Sequence, residues 1–168
     1  RAATAGGVPR PRWRARPGPG RVTHDKVSLS SAPTERLTDR SARVIKKVPN
    51  LGGATIVKLF FEASPRTRLS FVFAEKRMSA GTVNVATAAS SVTKGETLVD
   101  TARNLEAMKI DMVVIRHGSS GAAQFLAERI ESHVINAGDG THEHPTQGLL
   151  DMLTLRQRWG SLKGKKVC

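Results

Sequence analysis

The stretch TIVKLFFEASPRTRLSFVFAEKRMSAGTVNVAT, residues 55–87, indicates the fold because its pattern changes from strand to helix and back to strand. Residues 55–61 are rich in β-branched and aromatic side chains, which predicts a buried strand. Residues 66–78 carry apolar side chains at helical spacing, and residues 81–87 again favour a strand. The connection is too long for a hairpin, so we expect the two strands to be parallel and joined by a crossover helix.

The same alternation continues along the chain. Further strands are predicted at residues 111–117 and 133–138, and further helices at residues 97–109, 120–130 and 145–159. Four strands that alternate with helices indicate an α/β fold, in which right-handed connections cover a four-stranded parallel sheet with helices. Ligands of such sheets bind beyond the carboxyl ends of the strands, so the segments that follow the four strands form the candidate site.

The first two helices carry local sequence signals. In the helix predicted at residues 66–78, Leu69, Val72 and Phe73 stand at positions i, i+3 and i+4. This spacing is typical of a helix with one apolar face. Thr97 is predicted to cap the N-terminus of the next helix.

The segment after the first strand can form a cradle for an anion. Ser64 stands where an N-cap belongs, and Pro65 occupies the first helical position, which tolerates a missing N–H. Backbone N–H groups at this helix start suit a phosphate, together with the hydroxyls of Ser64 and Thr67 and the guanidinium of Arg66. The alternative is an ordinary capped helix with solvent-facing arginines, and this segment alone favours neither.

The other three strand ends also carry polar groups. Ser90 and Lys94 belong to a basic loop, which either reaches for an anion or is a plain surface loop. Arg116 ends a buried run, where a charge is costly unless it is used or paired. His144 precedes a helix and is suited to donate a hydrogen bond to a polarised carbonyl. Its spacing from His142 occurs in some metal sites, but no cysteine joins them and we predict no metal. Together the four ends fit a phosphorylated small molecule with a carbonyl group.

Positive charge is concentrated near the N-terminus. The chain has 27 Lys and Arg against 14 Asp and Glu, a net charge of +13, and residues 1–48 hold 12 of the former and 3 of the latter. Nucleic-acid binding by the folded part is therefore not expected. Residues 1–43, rich in Arg, Pro and Gly, are predicted to be a disordered tail. An organelle-targeting leader and a weak polyanion tether are the alternatives.

Cysteine usage and hydropathy bear on the compartment. Cys168 is the single cysteine, which excludes an internal disulfide and fits a reducing compartment, so we expect a cytoplasmic protein. No run approaches 18 consecutive apolar residues, and no membrane span is predicted.

Four spaced segments resemble motifs of the carbamoyltransferase family, and within it those of the aspartate enzymes. The segments are FFEASPRTRLSF (60–71), SSVTKGETLVDT (90–101), VVIRH (113–117) and NAGDGTHEHPTQGLLDMLT (136–154). The first resembles the family's Ser-Thr-Arg-Thr-Arg phosphate motif, the second its mobile Lys-Gly-Glu loop, the third its Arg-His motif and the last its His-Pro-x-Gln motif. The resemblance runs from about Ile45 to Val167, and it is specific because the motifs occur in order.

This resemblance implies a cofactor-free transfer of the carbamoyl group from carbamoyl phosphate to the amine of L-aspartate, a step of pyrimidine synthesis. It also implies a homotrimer whose active sites are completed across subunits, with regulatory chains as a further class of partner. The implied residues are Ser64, Arg66 and Thr67 for the phosphate; Thr67, Arg116 and His144 for the carbamoyl oxygen; Gln147 for the carbamoyl amine; and Ser90 and Lys94 for a neighbouring subunit's site.

Two features depart from the family pattern. Pro65 stands where the family has a residue with a backbone N–H, which predicts weakened phosphate binding. Residues 161–168 resemble the start of another strand, after which the family has a second domain that supplies the aspartate-binding residues. We therefore expect a carbamoyl-phosphate-binding domain at residues 44–160 and the truncated start of a second domain at residues 161–168. We expect the chain alone to turn over no aspartate.

Three other functions stay open from the sequence. An ornithine carbamoyltransferase would share the phosphate site. A non-catalytic module that binds carbamoyl phosphate would keep the cradle and lack the chemistry. A polyanion-binding protein would act through residues 1–43, and its binding to nucleic acid would be sensitive to salt.

Overall fold

The structure, a computed structural model, describes residues 47–85 and 97–166. Strands and helices alternate along these ranges, after a short 3₁₀ helix. In chain order they are the 3₁₀ helix (Pro49–Leu51), β1 (Thr55–Phe60), α1 (Pro65–Arg77), β2 (Gly81–Val85), α2 (Leu98–Ala107), β3 (Met112–His117), α3 (Ala122–Ala127), β4 (His133–Asp139) and α4 (Pro145–Trp159). The predicted strands and helices are confirmed, apart from small differences at their ends. The predicted tail at residues 1–43 lies outside the described residues, as do Ser90 and Lys94.

The four strands form one sheet in the order β2-β1-β3-β4, and each neighbouring pair is parallel. The predicted α/β fold is thus confirmed. Because the strands run the same way, the segments that follow β1, β3 and β4 leave the sheet at one edge. The pairing of β3 with β4 shifts register between Ile115 and His117, at this same edge.

The sheet buries a different apolar cluster on each face. Side chains alternate along β1, so Val57 and Leu59 join one cluster while Ile56 and Phe60 join the other. The first cluster is covered by α2 and α3. The second is covered by α1, which contributes the half-buried Phe71.

The apolar spacing of α1 does not coincide with the face that the helix buries. Leu69 and Phe73 are 54% and 57% exposed, whereas Glu75 is the one residue of this helix that is buried. Glu75 forms an ion pair with Lys58 of β1 inside the molecule. A lysine buried in a strand needs a charged partner, so the helix face that carries Glu75 turns to the sheet and the face with Leu69 and Phe73 turns to solvent.

The start of α2 and the end of α4 agree with the sequence predictions, whereas the expected start of a strand after α4 is not seen within the described residues. The Thr97 hydroxyl accepts a hydrogen bond from the Asp100 N–H at 3.2 Å, as its predicted capping role requires. The last helix, α4, ends at Trp159, the last residue of its predicted range, and Gly160 follows with a φ of 75°. Residues 161–166 contain a turn and no strand, whereas a strand start was expected there. Among the described helices, none is long and apolar enough to cross a bilayer.

Candidate active site

An open cavity of about 490 Å³ lies at the carboxyl edge of the sheet, where α1 and α4 begin. Each predicted site residue within the described ranges lines this cavity: Ser64, Arg66, Thr67, Arg116, His144 and Gln147. The structure therefore brings together residues from the ends of three strands. Ser90 and Lys94 fall in the undescribed range 86–96, and the chemical roles of all eight residues stay predictions.

The start of α1 forms one wall of the cavity. Ser64 is the N-cap residue by position, but its side chain makes no capping hydrogen bond. Its Oγ instead donates to the Thr67 Oγ1 at 2.8 Å. The N–H groups of Arg66 and Thr67, which helix geometry leaves without an intrahelical acceptor, are therefore not capped by Ser64. Together with the positive end of the helix dipole, these groups can hold an anion.

The two arginines of this segment have different surroundings. Arg66 is exposed and lines the cavity. The guanidinium of Arg68 lies over the ring of Phe60, 5.2 Å from its centroid, and Arg68 does not line the cavity. One arginine thus lines the cavity, and the other packs against the core.

Arg116 lines the cavity and is held by one hydrogen bond and one ion pair. Its Nη1 donates to the Ala137 carbonyl oxygen at 2.9 Å, and its Nε lies 3.4 Å from a Glu62 carboxylate oxygen. That Nε is buried and has no hydrogen-bond partner among the described residues. The guanidinium of Arg116 packs closely against the backbone of Gly138, because a Cβ added at Gly138 would lie 2.5 Å from Nη1. The φ of Gly138 is 117°, which also favours glycine. A side chain at position 138 would displace the guanidinium.

His144 is neutral at neutral pH. Burial lowers its pKa below the ordinary 6.5, the Arg116 charge lowers it further, and Asp151 only partly opposes these effects. The ring Nδ1 lies 3.3 Å from the Thr146 hydroxyl. A neutral imidazole at the start of α4 retains one ring N–H, which can be donated to a carbonyl oxygen beside Arg116.

We expect acidification to destabilise the protein through His144. Because the folded state lowers this pKa below 6.5, the unfolded chain binds the proton more tightly and stability falls as the pH drops below about 6.5. In His144→Asn, the slope of unfolding free energy against pH between about pH 7.5 and pH 5.5 should decrease, by at most about 1.4 kcal/mol per pH unit, the limit for one proton. Urea unfolding across this range checks the prediction, and an unchanged slope would contradict it.

Gln147 needs to change partner before it can contact a ligand. Its side-chain Nε2 donates to Asp151 Oδ1 at 2.8 Å, one turn further along α4. The residue is exposed at the cavity rim. Because the hydrogen bond to Asp151 is exposed, exchanging it for a ligand contact costs little.

Asp139 closes the loop that leads from β4 to His144. The Asp139 side chain is 2% exposed. Its oxygens accept hydrogen bonds from the Gly121 N–H at 2.7 Å, the Asn136 amide at 3.1 Å and the Glu143 N–H at 3.2 Å. Burial raises the pKa of Asp139, but these hydrogen bonds and the nearby His142 outweigh it and the net pKa is lowered. The carboxylate therefore stays ionised and fixes the loop.

The same loop contains a group of possible metal ligands. Ligand atoms of Asp139, His142 and Glu143 lie within 4.8 Å of one another. The Asp139 oxygens are already occupied by hydrogen bonds, and His142 contacts one of them at 3.1 Å. His144 is not part of this group, so the two histidines whose spacing suggested a metal lie in different surroundings.

Several residues that line the cavity were not predicted from the sequence. The cavity is also lined by Ser70, Phe71, Ala74, Thr146 and Leu150. Ser70 and Ala74 follow Arg66 and Thr67 at one to two helical turns, so helical spacing was a usable signal for them. No sequence signal pointed to Glu62 as the partner of Arg116.

The model of one known protein family matches most of this chain. Residues 22–157 match the model of a family described as aspartate/ornithine carbamoyltransferase, carbamoyl-P binding domain. The chain belongs to the aspartate/ornithine carbamoyltransferase family. The matched range begins well before Ile45, so the similarity reaches further towards the N-terminus than the four motifs indicated.

Relatives from two bacteria and one solved structure are informative. The aspartate carbamoyltransferase catalytic subunit of Gemmatimonas aurantiaca is 81% identical over 128 residues, which are 76% of this chain and 40% of that protein. The subunit of the same name from Geotalea uraniireducens is 58% identical over 146 residues, 87% of this chain and 47% of that protein. Aspartate transcarbamoylase from Trypanosoma cruzi, solved with aspartate and phosphate, has a TM-score of 0.69 at 38% identity. The matched region covers 80% of this chain and 42% of the Trypanosoma cruzi chain. The chain thus spans less than half the length of these relatives.

Proposed function

We propose that this chain is the carbamoyl-phosphate-binding part of an aspartate carbamoyltransferase, which transfers the carbamoyl group to L-aspartate. The observation that carries the proposal is the single cavity that holds the α1 start, Arg116 and His144 together. The related structure from Trypanosoma cruzi contains aspartate and phosphate. The relatives described above are aspartate enzymes, which favours aspartate over ornithine as the acceptor.

The geometry supports an acyl transfer without a cofactor. The aspartate amine attacks the carbamoyl carbon, a C–N bond forms, the C–O bond to phosphate breaks, and one proton of the amine passes to the departing phosphate. Negative charge grows on the carbamoyl oxygen, where Arg116, His144 and the Thr67 hydroxyl are the candidate donors. Removal of one such donor typically costs about 10²–10³ in rate. The departing phosphate would stay at the N-terminus of α1.

The remaining parts of the proposal concern partners and compartment. L-aspartate would bind to protein outside the described residues, and the active unit would be a homotrimer in the cytoplasm. Ser90 and Lys94 would reach a neighbouring subunit's phosphate, and regulatory chains would be further partners. Gln147 would orient the carbamoyl amine once its hydrogen bond to Asp151 is broken.

Titration of the chain with inorganic phosphate and carbamoyl phosphate tests the proposal. We expect both ligands to cause saturable shifts in the amide resonances of Arg66 and Thr67. Only carbamoyl phosphate should also shift the resonances of His144. Binding of either ligand elsewhere, or no saturable binding, would contradict it. Formation of N-carbamoyl-aspartate by the chain itself would overturn the expectation that it needs further protein for turnover.

Replacing Pro65 by Thr should tighten phosphate binding by about 5- to 150-fold. Pro65 is the first residue of α1 and provides no N–H at the wall of the cavity, and one restored hydrogen bond to a charged ligand contributes roughly 1–3 kcal/mol. Pro65→Ala restores the N–H without adding a hydroxyl, so it separates the backbone donor from the side chain. Calorimetric titration with inorganic phosphate measures the change. Unchanged affinity in both variants would show that this position does not contact the anion.

A further inference from the structure

Lys58 and Glu75 form an ion pair that the proposed chemistry does not use. They are 1% and 2% exposed, and the Lys58 ammonium donates to Glu75 Oε2. Burial raises the pKa of Glu75, which Lys58 and Thr82 offset only in part. The other carboxylate oxygen is buried without a hydrogen-bond partner among the described residues. Buried pairs of this kind often stabilise less than apolar side chains of equal volume, so stability alone does not account for this one.

The pair lies under the helix that begins at the cavity. Thr67, Phe71 and Glu75 are four residues apart in turn, so they share one face of α1. Thr67 and Phe71 both line the cavity, and Glu75 lies about 12 Å further along the helix axis at 1.5 Å per residue. Any rotation of α1 that moves Glu75 away from Lys58 also turns Thr67 away from its present direction.

Besides this ion pair, α1 meets the sheet through the half-buried Phe71, which packs against the cluster of Phe60, and through Arg68, whose guanidinium lies over the Phe60 ring. Glu75 is its one buried residue, and Leu69 and Phe73 face solvent. Backbone hydrogen bonds from Val48 to Arg77 and from Leu51 to Met78 hold the helix at its C-terminal end, away from the cavity. Apolar contacts are non-directional, whereas a hydrogen-bonded ion pair fixes both the distance and the direction of its partners.

We infer that Lys58 and Glu75 are positioning residues, which set the rotation of α1 and thereby direct the Thr67 hydroxyl and the first-turn N–H groups into the cavity. The consequence for ligand binding rests on the proposed function of that cavity as a phosphate site. The consequence for the orientation of α1 does not depend on any ligand.

The test compares the single variants Lys58→Met and Glu75→Leu with the double variant. Each single variant leaves a buried charge without its partner, so the unfolding midpoint should fall by roughly 10 °C or more. The double variant replaces the pair by apolar groups of similar volume and should regain the midpoint to within a few degrees. A matched control removes the exposed pair Glu128 and Arg129, whose side chains are 59% and 39% exposed. Glu128→Leu with Arg129→Met should leave the midpoint and phosphate binding unchanged.

The double variant separates positioning from stability. We expect its Arg66 and Thr67 amide resonances to move in the absence of ligand, and its affinity for inorganic phosphate to fall at least about fivefold. Parent resonances and parent affinity in a stable double variant would overturn the inference, because the pair would then be structural only. A double variant that unfolds as readily as the single variants would also overturn it. If the parent chain binds no phosphate, the proposed function fails, while the resonances without ligand still decide the positioning inference.

Discussion

Replacing Arg116 by Ala should weaken the binding of inorganic phosphate by about 30-fold or more. Arg116 is a cation on the cavity wall, with its guanidinium held by the Ala137 carbonyl and its Nε next to Glu62. The Arg116 and Glu62 side chains are 23% and 40% exposed, so the loss comes mainly from the charged hydrogen bond between Arg116 and phosphate, which contributes roughly 1.5–3 kcal/mol. Here the Glu62 carboxylate would lose its cation and repel the incoming anion. Calorimetric or NMR titration measures the loss.

Two further variants distinguish the loss of the site from a general loss of charge. Arg129→Ala removes the same charge just beyond the C-terminus of α3, where the guanidinium lies over the Phe125 ring, and should leave phosphate affinity within twofold. Adding Glu62→Gln to Arg116→Ala removes the unpaired carboxylate and should recover part of the affinity. If Arg116→Ala binds phosphate like the parent chain, Arg116 does not belong to the anion site.

The fold and the position of the site were predictable from local features. The four strands are rich in β-branched residues, and the helical segments that connect them are too long for hairpins. Parallel strands place their carboxyl ends at one edge, so Ser64, Arg116 and His144 could be expected near one another although they are distant in sequence. The motif resemblance then supplied the predicted chemistry.

The rotation of α1 was not predictable from apolar spacing. Leu69, Val72 and Phe73 formed the stronger pattern, yet Leu69 and Phe73 face solvent. The deciding contact joins Lys58 and Glu75, which are 17 residues apart and on different elements. A lysine inside an apolar strand was the available signal, because it needs a partner when buried. Its partner could not be chosen from the sequence without knowing which face of α1 meets the sheet.

The direct surroundings of Arg116 were also beyond sequence reasoning. Glu62 and Gly138 act through distances of a few ångströms across the strand ends. Gly138 allows the guanidinium to approach a backbone with positive φ, and such a requirement is visible only after β3 and β4 are paired with their register shift. The sequence thus indicated which residues would meet but not how they are held.

Replacing Asp139 by Ala should lower the free energy of unfolding by about 3–5 kcal/mol. The change removes the acceptor of three donors, the Gly121 N–H, the Asn136 amide and the Glu143 N–H, and each donor left unpaired inside the protein costs roughly 1–3 kcal/mol. Solvent that enters the loosened loop offsets part of this sum. Urea unfolding of the variant and the parent chain at neutral pH measures the difference.

Replacing Asp139 by Ala should also disturb the cavity, because the loop that Asp139 closes leads directly to His144. The Asp139 N–H donates to the Glu143 carbonyl oxygen at 3.1 Å, so the residue before His144 is tied to β4 through both backbone and side chain. Asp139→Asn retains one oxygen and should lower the free energy of unfolding by less than Asp139→Ala does. His142→Ala removes a partner whose side chain is 54% exposed, and it should change the free energy of unfolding by less than about 1 kcal/mol. If His142→Ala is as damaging as Asp139→Ala, the loop is held by the ion pair rather than by the buried hydrogen bonds.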